Sequence, residues 1–224
     1  MTRWFYAFIA VIFVGAIAVS LAADFVVRPA GMTSGVAEFN VVIDAGHGGR
    51  DGGASSPSGV KESDINLAIA KYLASELDSR GVGVVMTRTN TASLANPLAR
   101  NQKKSDMDAR RKIIEKATPD LVISIHLNSL PSYPAVRGLQ VFFDKTGDLS
   151  KIYAQAIQDN VNASNLYTYR RASTGDYYIL NCTAYPSVLV ECGFLSNPSD
   201  VALLVNPEYQ KMLAQLIAEG ILSV

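Results

Sequence analysis

The sequence predicts one α/β domain with a central, mostly parallel twisted sheet of about six strands flanked by helices, preceded by an N-terminal membrane helix. Three observations carry that prediction. Short apolar runs alternate with amphipathic stretches of helical spacing. The only two histidines, His47 and His126, each close an apolar run, Val41 to His47 and Leu121 to His126. An uncharged stretch from Trp4 to Ala23 precedes everything else. With 224 residues, 49% hydrophobic and 18% charged, the chain has enough apolar matter for one core of ordinary size.

The elements follow in order. Trp4 to Ala23 has the roughly 20-residue length that a helix needs to cross a bilayer. Secretory apolar regions run about 7 to 15 residues, yet Ser20-Leu21-Ala22 has the form of a cleavage site. Residues 1–23 therefore read as an anchor or a signal segment, 24–38 as a polar linker, and 39–224 as the folded domain. Arg3 and the terminal amine favour a cytoplasmic N-terminus and put the domain outside, anchored to the membrane's outer face or secreted. Strands are expected at Asn40 to Ala45, Val82 to Thr87, Leu121 to His126, Leu139 to Phe143 and Val188 to Glu191, with Tyr177 to Leu180 as a sixth. Helices are expected at about Ser63 to Ser79, Asp106 to Lys116, Ser150 to Asn162 and Pro207 to Leu222. Asn197-Pro198 and Asn206-Pro207 each set a capping side chain before a proline suited to a first helical turn.

Charge excludes one class of partner. Twenty basic and twenty acidic residues cancel, and the short patches Gln102-Lys103-Lys104 and Arg110-Arg111-Lys112 read as solvated helix faces, so nucleic acid is not expected. Cys182 and Cys192 read as unpaired, mostly buried thiols, because one pair is no disulfide framework.

The chemistry begins after the first strand, in Asp44-Ala45-Gly46-His47-Gly48-Gly49-Arg50-Asp51-Gly52-Gly53-Ala54. Five glycines around a histidine allow positive φ and close approach of a ligand. The GK[ST] ending of a phosphate loop is absent. Fifteen residues after His47 comes Glu62, placed just outside a helix that Ser63 is expected to cap. In Ser124-Ile125-His126-Leu127-Asn128 the two-residue period puts Ser124, His126 and Asn128 on one face, so Asn128 reads either as a group orienting substrate or as a strand-exit turn residue. Glu191 ends an apolar strand, where an ionised carboxylate must be paired or functional. Two histidines and a glutamate suit a catalytic zinc ion whose fourth position takes water, and a second carboxylate suits the proton transfer. On spacing alone, Asp44, Asp51 and Asp64 compete with Glu62 as third ligand.

The segments VIDAGHGGRDGGA (Val42 to Ala54), KESDINL (Lys61 to Leu67), Met86-Thr87-Arg88, LVISIHLN (Leu121 to Asn128) and LVECGFLSN (Leu189 to Asn197) resemble, in order, the zinc-dependent N-acetylmuramoyl-L-alanine amidases of the amidase_3 family. The resemblance implies one zinc ion held by His47, Glu62 and His126, with Glu191 catalytic, and cleavage of the amide joining N-acetylmuramic acid to L-alanine in peptidoglycan. Within the family the chain most resembles the sporulation- and germination-associated CwlD type. That resemblance implies a role in spore-cortex maturation, an activating helper protein, and a deacetylase that acts next to form muramic lactam. Cys192 stands where the family often has a branched or apolar residue, and no counterpart of an inhibitory helix is expected between Leu139 and Tyr177. The alternatives are another zinc hydrolase, a peptidase or deacetylase, and a membrane-tethered wall-binding protein without activity.

Overall fold

A computed structural model of the chain describes residues 39–166 and 169–224. The expected membrane segment and linker lie outside these residues; among the described residues no helix is long and apolar enough to cross a membrane.

The described residues build β1 (Asn40–Ala45), α1 (Glu62–Ser79), β2 (Gly83–Met86), α2 (Gln102–Ala117), β3 (Leu121–Asn128), β4 (Gln140–Phe143), α3 (Asp148–Ala163), β5 (Ser173–Thr174), α4 (Tyr178–Asn181), β6 (Ser187–Phe194), α5 (Pro198–Leu204) and α6 (Pro207–Leu222). They form one sheet in the order β2-β1-β3-β6-β4-β5. The β1–β2, β1–β3, β3–β6 and β4–β5 pairs are parallel; β4 runs antiparallel to β6. The sheet is thus α/β and mostly parallel, as the alternating pattern predicts.

Side-chain alternation divides the core into two layers. Val41, Ile43, Ala45, Ile123, Ile125 and Val190 pack with α1, α3 and α6, whereas Val42, Val122 and Leu189 pack with Ile114 of α2 and with Ile179 and Leu180 of α4. A sheet covered on both faces explains why its inner strands read as unbroken apolar runs. The chain leaves β1 toward β2 on one side and returns to β3 on the other. The carboxyl ends of β1 and β3 therefore border the switch point where such sheets bind ligands.

Three expectations are corrected here. Tyr177 to Leu180 is not the sixth strand: Tyr178–Asn181 is the short helix α4, which buries Ile179 and Leu180, and the sixth strand is Ser173–Thr174. Gly175 N donating to the Phe143 carbonyl closes that ladder, and the Tyr177 ring then packs edge-on against Phe142. A four-residue apolar run has no period with which to tell strand from helix. Glu62 does not lie outside α1 but is its first residue, and Ser63 is not the cap. The loop backbone replaces a capping side chain, since Glu62 N donates to the Ala54 carbonyl at 2.9 Å and Ser63 N to that of Gly52 at 3.1 Å. Finally, Arg110 is not on a solvated face; it is 1% exposed, while Lys103, Lys104 and Lys112 do face solvent. Helix α2 also starts four residues earlier than its apolar spacing suggests, where Asn101 accepts from Lys104 N. The two Asn-Pro caps form as expected, Asn197 accepting from Ser199 N and Asp200 N, and Asn206 from Glu208 N.

Candidate metal centre

The loop leaving β1 is held from beneath by two buried arginines. Arg110 donates to the carbonyls of Ala45 (2.8 Å) and His47 (2.7 Å), and Arg88 donates to those of Ala45 (2.8 Å), Gly46 (2.9 Å) and Ser63 (2.8 Å). Pinned in this way, His47 adopts φ 60°, a left-handed conformation uncommon outside glycine. Asp44 lies beneath the loop and accepts from Arg110 (2.5 Å), Thr87 (2.7 Å) and Ser124 (2.7 Å). Burial pushes the Asp44 carboxyl up, but Arg110 and the two hydroxyls outweigh it and hold the group below the usual carboxylate range.

These contacts bring three predicted ligands together. His47, Glu62 and His126 offer ligand atoms that all lie within 4.8 Å of one another, and no other such group of His, Cys, Asp and Glu occurs among the described residues. Glu62 Oε1 stands 3.2 Å from His47 Nε2 and 2.8 Å from His126 Nδ1. Its carboxylate is further fixed by Leu127 N (3.1 Å), Asn66 Nδ2 (3.2 Å) and, on Oε2, Ala54 N (2.8 Å). Burial would raise the Glu62 carboxyl, but the hydrogen bonds and charges of the two imidazoles hold it far below its ordinary value. Burial likewise pushes His47 down, and Glu62 with Asp51 outweighs it, raising the imidazole to about 9.

The three competing aspartates fall elsewhere. Asp44 is committed to Arg110, Asp64 is exposed on α1, and Asp51 holds His47 Nδ1 at 2.9 Å, turning Nε2 toward Glu62. A carboxylate behind a metal-binding imidazole fixes its tautomer and orientation. Glycine is needed where the loop passes the donors. A Cβ on Gly46 would lie 2.2 Å from His126 Nε2, and one on Gly53, at φ +66°, would lie 2.5 Å from Glu62 Oε2.

Glu191 stands opposite His126 in the β3–β6 register. It is 7% exposed, and its Oε2 is a buried oxygen with no hydrogen-bond partner. Burial pushes its carboxyl up to about 7. Asn128 follows His126 across a register shift, half-buried, its Oδ1 taken by Ser129 N at 2.8 Å, outside the ligand group. Both cysteines are unpaired, as expected; burial raises the Cys182 thiol to about 11 and the Cys192 thiol further.

The donor set fits zinc. Two atoms on one tetrahedral ion with bonds of about 2.0–2.2 Å stand roughly 3.3–3.5 Å apart; the 3.2 Å between His47 Nε2 and Glu62 Oε1 comes close, and the 2.8 Å hydrogen bond between Glu62 Oε1 and His126 Nδ1 would have to open by about half an ångström. Nitrogen, nitrogen and oxygen would leave one position of such an ion for water, and Glu191, with its buried unpartnered Oε2, stands opposite His126 in the sheet.

Three supporting residues escaped the sequence. Arg110 shares a buried helix stripe with Ile114, four residues on, and that spacing was its only sign. Asn66 and Asp200 gave none. Asp200 accepts from Phe194 N (2.9 Å) and Gly138 N (2.8 Å), tying the exit of β6 to the loop before β4.

The structure thus defines a mostly parallel α/β domain with a His-Glu-His donor set, able to hold a metal ion, at its switch point. The chain belongs to the Amidase_3 family, the N-acetylmuramoyl-L-alanine amidases, whose pattern matches residues 41–223. It is 36% identical over 187 residues to the germination-specific N-acetylmuramoyl-L-alanine amidase of Bacillus subtilis, covering 81% of this chain and 78% of that one. Its fold matches the CwlD amidase of Clostridioides difficile, solved in complex with the GerS lipoprotein, with a TM-score of 0.79 at 34% identity over 83% of this chain and 97% of that one. It also matches the catalytic domain of CwlV, an N-acetylmuramoyl-L-alanine amidase from Bacillus (Paenibacillus) polymyxa var. colistinus, with a TM-score of 0.72 at 32% identity over 83% and 97% of the two chains.

Proposed function

We propose that this chain hydrolyses the amide joining the lactyl group of N-acetylmuramic acid to L-alanine of the peptidoglycan stem peptide, with His47, Glu62 and His126 holding one zinc ion and Glu191 moving the proton. The observation that carries the reading is the placement of the buried, unpartnered Glu191 opposite His126, beside the converged donor set.

Zinc bound there supplies a Lewis acid that polarises the scissile carbonyl and lowers the pKa of a water. The protein's own groups do the rest. Glu191 Oε2 accepts a proton from the attacking water and delivers it to the departing L-alanine nitrogen, and its burial, which pushes the carboxyl up in the metal-free protein, makes it the readier to take that proton. Asp51 keeps the His47 ring turned so that Nε2 faces the donor cluster. Asn128, on the strand face of His126, orients the substrate.

The likeness to the germination-specific amidase and to CwlD supports a role in sporulation and germination; in this reading the cut stems belong to the maturing spore cortex, and a deacetylase acts next to form muramic lactam. The GerS complex of the Clostridioides difficile protein supports an activating helper for this chain as well. Residues 1–23 export or anchor the domain, 24–38 link it, and 39–224 act outside the cytoplasm in the wall. Product mass spectrometry on purified peptidoglycan, with and without chelator, tests the reading. Release of free stem peptides that stops on chelation is expected; sugar deacetylation or cleavage within the peptide assigns a different zinc hydrolase, and no product assigns a wall-binding protein.

A further inference from the structure

Beyond Glu191 the site end of the sheet carries a cation that nothing in the proposed chemistry uses. The β4–β6 register sets Gln140 opposite Glu191, as the β3–β6 register sets His126 on its other side. His126, Glu191 and Gln140 therefore form a row across three strands, about 10 Å long at the ordinary strand spacing of about 4.8 Å. Gln140 is anchored by Nε2 donating to the Arg171 carbonyl at 2.8 Å and the Val141 carbonyl at 3.2 Å, and its Oε1 accepts from Arg170 Nη1 at 3.4 Å.

Arg170 is held rigidly. Its guanidinium carbon lies 5.6 Å from the ring centroid of Phe194, the last residue of β6, and Nη2 donates to the Arg137 carbonyl at 2.8 Å. Its backbone is clasped by Asn162, which accepts from Arg170 N at 3.2 Å and donates to the Arg170 carbonyl at 2.7 Å. Two of five guanidinium N–H groups are engaged, both by neutral oxygens, and Arg170 forms no ion pair among the described residues. Neighbouring Arg137, by contrast, has Asp200 at 3.2 Å. A half-buried, preorganised guanidinium with no acidic partner and donors to spare has the chemistry of a carboxylate receptor.

We infer that Arg170 binds a carboxylate of the stem peptide one to two residues beyond the scissile amide, so that the enzyme selects stems whose second residue carries that carboxylate free. The inference rests on the amidase reading above. An extended peptide advances about 3.3–3.6 Å per residue, so the second residue ends roughly 7 Å from the scissile nitrogen, within the reach of the roughly 10 Å His126-Glu191-Gln140 row.

The test uses the full chain loaded with zinc and two muramoyl tripeptides, identical except that the branching carboxylate of the second residue is free in one and a carboxamide in the other. Wild type is expected to favour the free acid in kcat/KM by about ten- to a hundredfold, the range of a charge-assisted hydrogen bond. In Arg170→Gln that ratio falls toward one. Arg170→Lys keeps the charge without the planar fork and gives an intermediate ratio, which also serves if the glutamine variant does not fold. Equal turnover of both tripeptides by wild type overturns the inference, as does a preference that survives in the variants or a loss that strikes both substrates alike. If wild type cleaves neither tripeptide nor whole peptidoglycan, the amidase reading falls, and the inference with it.

Discussion

Arg110 Nη1 lies 2.5 Å from Asp44 Oδ1, and both side chains are 2% exposed. The pair sits under the His47 loop, so its loss strikes stability and site together. Arg110→Met leaves the Asp44 charge buried without its cation and is expected to lower unfolding free energy by about 3–5 kcal/mol, measured by urea denaturation. Asp44 titrates below the usual range in the folded protein, so it stabilises above its unfolded pKa of about 3.9 and that stability is lost as pH falls through the depressed value. In Arg110→Met, acid unfolding therefore begins at a higher pH. An unchanged urea midpoint would show that the pair contributes nothing.

Glu191→Gln keeps shape and removes the titrating oxygen. Stem-peptide release is expected to fall about 100- to 10,000-fold while zinc content and far-ultraviolet circular dichroism stay at wild-type values. A variant that loses zinc instead makes Glu191 a ligand.

Metal capture is tied to pH through His47. Without metal its imidazole is protonated up to about 9, and a ligand must be neutral, so the proton competes with zinc at every pH below that value. Apparent zinc affinity is expected to fall up to tenfold per unit as pH drops from 9 toward 6, with uptake at pH 7 releasing about one proton, read by calorimetry in buffers of different ionisation enthalpy. The same ion pair stabilises the metal-free protein fully below about 6.5 and ceases to do so as pH rises through about 9. Zinc affinity independent of pH across this range contradicts the ion pair. Separately, His126→Ala should no longer retain stoichiometric zinc at sub-micromolar free metal.

Gly46→Ala probes how closely the loop packs on the centre. The added methyl would overlap the His126 ring, which must move or force the loop away. Overpacking of this kind costs about 1–3 kcal/mol, and zinc affinity is expected to fall with it. Retention of wild-type zinc affinity would show that the ring has room to shift.

Most of the sheet was legible because β1, β3 and β6 are buried on both faces, so their sequences are largely apolar runs that lead into His47, His126 and Glu191. The two histidines and Glu191 were legible for the same reason: a polar residue at the end of such a run stands out, whereas Glu62, the first residue of α1, carries no such mark. What stayed hidden has no local signature. Tyr178–Asn181 is helical through tertiary packing of two residues, Arg110 is buried by partners 63 to 66 positions away in sequence, and the α1 cap is made of backbone carbonyls. The choice of Glu62 over Asp51 was invisible in spacing, since only the folded loop shows that Asp51 reaches the far nitrogen of the His47 ring.

The sheet order also governs when activity can appear. All three candidate metal donors lie within the first 126 residues, but Glu191 comes on β6, which inserts between β3 and β4. A chain cut before residue 187 contains all three candidate donors but lacks both Glu191 and the strand that joins β3 to β4. The proposed site is thereby complete only after the late, non-local closure of the sheet by β6.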